Sequence, residues 1–297
     1  MADEVKAFWE NRAEAYRDWA YKYYQNPGSS RYPQAEVRQE RVLEILNDVA
    51  PGKMLDAGCG IGDFMLTCTN LGWDCYGFDF AKNMVELAKN FLGEHNINPD
   101  HVSVGDVSDL SAYDNGEFDL IASLGAFGYV PEDKEAKAFT EFRRVLKDDG
   151  MVIVTNVNAL LDMFTFNRFT LNFFDEHFVS KFFSGEEAAT VMNQIGALVT
   201  NPDKPDRNGK WATVRDQKFV KQEVPLAYGE KVKKWGFDEI KQVFYHLHSA
   251  PPLVFEEHPE WEKASIQFER RYSEHWIANF LATGFISVLK KNRSLID

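Results

Sequence analysis

The stretch Lys53-Met54-Leu55-Asp56-Ala57-Gly58-Cys59-Gly60-Ile61-Gly62-Asp63-Phe64 constrains this chain more than any other. Its first half reads as a buried strand and its second half as a turn that opens a helix. Gly58, Gly60 and Gly62 leave the backbone free to take positive φ and let a ligand approach the main chain closely. A helix starting there aims unpaired N–H groups at that ligand. Spacing excludes two phosphate-binding patterns. The dinucleotide turn G-x-G-x-x-G needs its third glycine where Asp63 stands. The Walker loop needs Gly-Lys-Ser/Thr at its end, and none is present.

Around this turn the apolar pattern alternates strand and helix. Asp74–Asp79, His101–Val107, Glu117–Leu124 and Gly150–Asn156 read as further strands. Helices are expected from Asp63 to about Leu71, over residues 81–94 and from Ala136 to Leu146. Five strands alternating with helices imply a doubly wound α/β sheet, whose ligands sit at the carboxyl ends of the strands. Asp79 ends the second strand, 17 residues after Gly62. An acid there can accept from both hydroxyls of a ribose. It can equally cap the next helix.

Charge and composition narrow the partners. A formal charge of −13 disfavours a polyanionic partner such as nucleic acid. No apolar run approaches the roughly 20 residues of a membrane span, and the start lacks the features of a secretory signal. Cys59, Cys68 and Cys75 show no C-x-x-C spacing. That argues against a zinc site or a disulfide framework and for a reducing cytoplasm.

Asp56 to Gly62 resemble motif I of the class I S-adenosylmethionine (SAM) methyltransferases, D-x-G-x-G-x-G. Asp79-Phe80-Ala81-Lys82-Asn83-Met84 is similar to their motif II, with Ala81 in place of the usual serine. Gly105-Asp106-Val107 resembles the "G-D-hydrophobic" step that meets adenine, and Phe118-Asp119-Leu120-Ile121 the fourth strand. The resemblance implies a Rossmann-like, doubly wound seven-stranded sheet binding SAM and releasing S-adenosylhomocysteine (SAH). It assigns the cofactor to Asp56, Gly58, Gly60, Gly62, Asp79, Phe80, Met84, Asp106, Val107 and Leu124. The family's N-terminal helices fold over this site. Residues 4–24 and 34–48 read as such helices, and "Arg-Ala-Glu-Ala-Tyr" nominates Tyr16. Arg31 is nominated for the SAM carboxylate, because a guanidinium matches a carboxylate fork. Both residues also admit a bland reading, as packing and as a solvated loop charge.

Methyl transfer from a sulfonium requires mainly a positioned nucleophile and no metal. A base is needed only where the acceptor must lose a proton. His177 and His246 are the candidates. Tyr129, Asn156 and Asn158, past the fourth and fifth strands, could orient a polar acceptor. DNA amino-methylating enzymes carry Asp/Asn-Pro-Pro-Tyr/Phe after the fourth strand, and cytosine-C5 enzymes carry a Pro-Cys nucleophile. Here Ser123-Leu124-Gly125-Ala126-Phe127 follows and no cysteine occurs after Cys75, which points to a small organic acceptor. The expectation is transfer to its O or N atom. A SAM- or SAH-binding sensor without transfer is the alternative.

The expected domains are 1–158 for the N-terminal helices and SAM core, 159–235 for an insertion, and 236–297 for the end of the core. The insertion holds eight phenylalanines from Phe164 to Phe183. It is read as a lid over the acceptor, or as the contact of a homodimer. Phe237 to His248 is expected as a helix capped by Asp238, Glu260 to Leu281 as one long helix, and Gly284 to Lys290 as the last, antiparallel strand.

Overall fold

The computed structural model describes residues 2–25, 34–199, 220–250 and 259–292. Helices α1 (Ala2–Gln25) and α2 (Gln34–Leu46) precede β1 (Lys53–Ala57). Then come α3 (Asp63–Asn70), β2 (Asp74–Asp79), α4 (Lys82–Glu94), β3 (Val102–Val104), β4 (Phe118–Ser123), α5 (Glu132–Val145) and β5 (Leu146–Asn158). The remaining elements are α6 (Arg168–Phe174), α7 (Ser180–Phe182), α8 (Gly185–Gly196), β6 (Gln222–Glu223), α9 (Pro225–Lys233), β7 (Phe237–Leu247), α10 (Pro259–Tyr272), α11 (Ala278–Leu281) and β8 (Ala282–Lys291).

The sheet runs β3-β2-β1-β4-β5-β8-β7, with the short β6 beside β5. The neighbours from β3 to β5 are all parallel. Chain order reverses between β1 and β4, and a crevice opens at such a switch point. Met54, Leu55 and Ala57 have no exposed surface, as expected of a strand covered on both faces. Helix α4 buries Met84, Val85, Ala88, Phe91 and Leu92, a helical stripe. On α5, Phe139 meets Phe127 at 5.0 Å, Phe237 at 5.6 Å and Trp235 at 4.8 Å.

The chain forms two compact units. One comprises Met1–Asn156, Ala227–Val243 and Ile286–Asp297; the other Val157–Leu226 and Phe244–Phe285. Residues 236–297 are thus divided between them. In the second unit, Phe173 is buried, whereas Phe166, Phe178, Phe182 and Phe183 are exposed.

Two expected helices are corrected. Residues 237–247 form strand β7. Asp238 is no helix cap: its carboxylate accepts from Asn292 Nδ2 at 3.0 Å. The run Val243-Phe244-Tyr245 is β-branched and aromatic, suited to a strand. The long helix after Glu260 is two, α10 and α11. Between them Ser273 takes Phe244 N–H on its carbonyl, at 2.7 Å. By its alternation Trp211 to Leu226 reads as one or two strands; most of that stretch lies outside the described residues, Gln222–Glu223 is the short β6, and Pro225–Lys233 is helical.

Asn158 is also corrected, from acceptor contact to brace. It has no exposed surface. Its Nδ2 donates to the carbonyls of Asn279 and Ala282 at 2.8 and 2.9 Å. Its Oδ1 accepts Leu160 N–H at 3.0 Å. Asn158→Ala orphans these buried groups, each costing roughly 1–3 kcal/mol. Urea unfolding is expected to show a loss of at least about 2 kcal/mol, with SAH affinity unchanged.

Candidate functional site

The glycine turn leaves β1 at the switch point. Gly58, Gly60 and Gly62 take φ of 88°, 54° and 83°, which side chains with a Cβ rarely adopt. A Cβ on Gly58 would collide with Ala126. The turn is tied to the end of β2: Gly58 N–H and Cys59 N–H both donate to the Phe78 carbonyl at 2.9 Å. Asp79 completes the tie. One carboxylate oxygen accepts Gly60 N–H at 3.1 Å and the other Ala81 N–H at 2.9 Å. Asp79 therefore braces the turn and caps the approach to α4. Its remaining lone pairs can accept further donors.

An open cleft of about 390 Å³ lies over this turn, lined among others by Tyr16, Arg38, Asp56, Gly58, Gly60 and Leu124. Ala13 of α1 packs with Ile61, Ala81 and Met84, and Trp9, Tyr16 and Leu87 lie against that cluster. Met84 is thus an apolar anchor that brings α1 to the turn. Trp9 meets Tyr16 and Tyr129 edge to face, at 5.9 and 5.5 Å.

Arg38 was not singled out by the sequence reading. It precedes Val42 and Leu46 by four and eight residues, and both of those are buried. That inward-facing helical spacing is the signal that could have found it. A Cβ on Gly125 (φ 73°) would collide with the Arg38 guanidinium. Arg38 Nε is buried without a hydrogen-bond partner among the described residues. Arg31 lies outside the described residues.

The electrostatics of the cleft are acidic. Burial pushes the Asp56 carboxyl well above the usual carboxylate range; Asp63 and Asp79 push it further, while Arg38 opposes them. Burial also raises Asp79, against the hydrogen bonds from Ala81, Gly60 and Phe80 N–H. The phenols of Tyr16 and Tyr129 are pushed up by burial as well, with Arg38 opposing both shifts.

The next strand end adjoins: Gly105 N–H donates to the Asp79 carbonyl at 3.0 Å. Asp106 accepts from Ser108 N–H and Oγ at 2.9 and 2.7 Å and from Lys134 Nζ at 3.0 Å. Partial burial raises its pKa, but these donors outweigh that and hold it below the usual value. Phe80 and Val107 are half-buried beside these acids. Asn156 is buried, and its Nδ2 has no partner among the described residues. His177 and His246 belong to the second unit. His177 packs on the Phe173 ring at 4.6 Å, while His246 Nδ1 lies 2.8 Å from Thr283 Oγ1.

Residues 55–154 match a family described as a methyltransferase domain. Paired with the glycine turn, the ribose-type acid and the cleft above them, that match decides the identification. This chain carries a class I SAM-dependent methyltransferase domain. It is 36% identical over 112 residues to the demethylmenaquinone methyltransferase of Leptospira interrogans, covering 36% of this chain and 43% of that protein. The chain thus matches less than half the length of that relative. It is 27% identical over 207 residues to YcgJ, an uncharacterized methyltransferase of Bacillus subtilis, covering 68% of this chain and 73% of that protein. A SAM-dependent methyltransferase structure from Clostridium acetobutylicum superposes with TM-score 0.54 at 14% identity, covering 94% of this chain and 99% of that one. It shows the shared fold.

The cofactor of this family is SAM, and the residues present fit it. Its cationic amino-acid end suits a cleft lined by Asp56 and Asp63, its carboxylate suits Arg38, and its ribose suits Asp79, which holds the turn at Gly60 N–H. Asp56 and Asp79 have folded-state pKa values above their unfolded ones. Their contribution to stability is therefore complete below about pH 4 and is lost as pH rises through the raised values. A bound ammonium reverses that loss. At 100 times Kd, SAH should stabilise the protein by about 2.7 kcal/mol near neutrality. Thermal unfolding should show this gain growing as pH rises above the ordinary carboxylate range, and Asp56→Asn should flatten the slope.

Proposed function

We propose that the chain is a cytoplasmic enzyme transferring the methyl group of SAM to an O or N atom of a small organic acceptor. The observation that carries this reading is the cleft at the β1–β4 switch point, lined by the glycine turn, Asp56, Arg38, Tyr16 and Leu124, with Asp79 bonded to the turn at Gly60 N–H. Three free, buried cysteines agree with a reducing compartment. Among the described residues no helix is long and apolar enough to cross a membrane. The Leptospira relative is named for demethylmenaquinone, a small organic acceptor, which supports the same substrate class here. The formal charge of −13 speaks against nucleic acid.

Bound SAM supplies an electrophilic methyl on a sulfonium. The chain supplies position. Arg38 takes the carboxylate, the role the resemblance gave to Arg31. Asp79 takes the ribose hydroxyls, Asp106 and Val107 the adenine, and Tyr16 closes over Gly60. Tyr129 and Asn156 orient the acceptor. His177 and His246 remain our candidates for a base where the acceptor has a proton to lose. The phenylalanine-rich residues 159–183 remain our candidate for a lid or a homodimer contact.

The decisive experiment is incubation with methyl-labelled SAM and the small-molecule fraction of a cell extract. A product heavier by one methylene is expected; SAH binding without any labelled product would make the chain a sensor. Arg38→Met should weaken SAM binding about tenfold to a hundredfold, since a hydrogen bond to a charged group contributes about 1.5–3 kcal/mol. Arg38→Lys should restore little, because the forked pairing is lost. Decarboxylated SAM should bind wild type and variant alike in calorimetry. Equal SAM affinity for wild type and Arg38→Met would remove Arg38 from the site.

A further inference from the structure

Charge is unevenly divided around the cleft. The glycine turn brings Asp56 and Asp63 to it, whereas the segment after β4, which begins at Leu124, is met by cations. A Cβ on Gly125 would strike the Arg38 guanidinium. Four residues further on, the Tyr129 ring meets the Trp9 ring of α1 edge to face, at 5.5 Å. Arg12 follows Trp9 by three residues, a spacing that shares a helix face. Its guanidinium lies over the Phe8 ring, 4.2 Å from the centroid, and Phe8 meets Trp9 at 5.5 Å. Arg12 and Arg38 are both near enough to Tyr129 to oppose the upward push of burial on its phenol.

These donors are unspent. In a chain of formal charge −13, neither Arg12 nor Arg38 has an ion-pair partner among the described residues. Arg12 and Tyr129 are half-buried, and the Tyr129 hydroxyl has no hydrogen-bond partner among the described residues. A cation taken partly out of water without a counter-charge costs free energy, and a bound anion removes that cost. The carboxylate of SAM uses Arg38. Arg12 and Tyr129 are left for the second substrate. One guanidinium fork and one hydroxyl, with a single positive charge between them, match a carboxylate. A phosphate dianion would be only half neutralised there.

We propose that Arg12 and the Tyr129 hydroxyl bind a carboxylate of the methyl acceptor, so that the acceptor is a small organic acid. The proposal rests on the reading of the cleft as a methyl-transfer site with Tyr129 facing the acceptor. The anchored carboxylate oxygens are engaged as hydrogen-bond acceptors, and the methyl goes to another O or N atom of the same molecule. That atom's lone pair forms the bond to the methyl carbon. The C–S bond pair returns to sulfur, giving SAH, and the proton on the acceptor atom passes to water.

The test uses the full chain and a small-molecule cell extract divided at neutral pH on an anion exchanger. Each fraction is incubated with methyl-labelled SAM. The retained fraction should yield the labelled product, and phosphatase treatment of that fraction should leave the yield unchanged. Arg12→Met keeps an aliphatic stem on Phe8. It should lower the initial rate at limiting amounts of that fraction, which reads kcat/KM, at least about tenfold, with SAH affinity within about twofold. Arg12→Lys should recover only part of the loss, because the fork is missing. Label drawn only from the unretained fraction, or a wild-type rate in Arg12→Met, overturns the proposal. Loss of product after phosphatase overturns the carboxylate in favour of a phosphate. No label from either fraction strikes methyl transfer itself, and calorimetry with benzoate then decides the subsite. SAH-loaded wild type should bind benzoate at least about tenfold more tightly than Arg12→Met does, and benzamide should bind neither. Benzoate binding that is absent, or equal in the two proteins, overturns the subsite.

Discussion

The site depends on how the end of β2 holds the turn that leaves β1. One carbonyl, that of Phe78, takes two N–H groups of the turn, and one carboxylate, that of Asp79, takes a third. Left-handed glycines are entropically expensive to fix, and these bonds hold them. The same carboxylate takes Ala81 N–H and so sets where α4 begins. With α4 placed, Ala81 and Met84 form the apolar seat on which Ala13 of α1 rests. Tyr16 and Trp9 follow from that seat. A single acid thus links the cofactor turn, the helix after β2 and the N-terminal helix that borders the cleft.

Electrostatically, this arrangement costs something that a cationic ligand can return. Asp56 has almost no solvent contact and faces two further acids, so its carboxyl resists ionisation. Arg38 offsets part of this from α2. Hydrogen bonds from the chain offset the burial of Asp79. A cleft so built discriminates by charge distribution: an ammonium and a carboxylate held side by side complement it better than the diphosphate of a dinucleotide does.

The parts of this account that were readable in the sequence are those fixed by local rules. Gly58, Gly60 and Gly62 were legible because only glycine suits the backbone they adopt. Asp79 was legible because one βαβ step has a nearly fixed length. Arg38 was not, since its role depends on how α2 packs, and no short motif encodes that. Asp238 was misread as a helix cap because a carboxylate serves a cap and a side-chain contact alike; here it meets Asn292, 54 residues away in sequence. The same misreading as a helix put His246 and His248 on different faces, whereas their rings meet at 4.9 Å. Asn158 looked like a polar group at a strand end, and its three buried partners became visible only with the tertiary structure.

The central claim is that the amino-acid end of SAM lies between Arg38 and the glycine turn, with its ribose on Asp79. A crystal structure of the protein with SAH tests it most directly. The account predicts the ligand carboxylate on the Arg38 guanidinium and both ribose hydroxyls within hydrogen-bond distance of the Asp79 carboxylate. SAH bound away from the Gly58–Gly62 turn, or bound there with Arg38 and Asp79 both turned from it, would contradict the account.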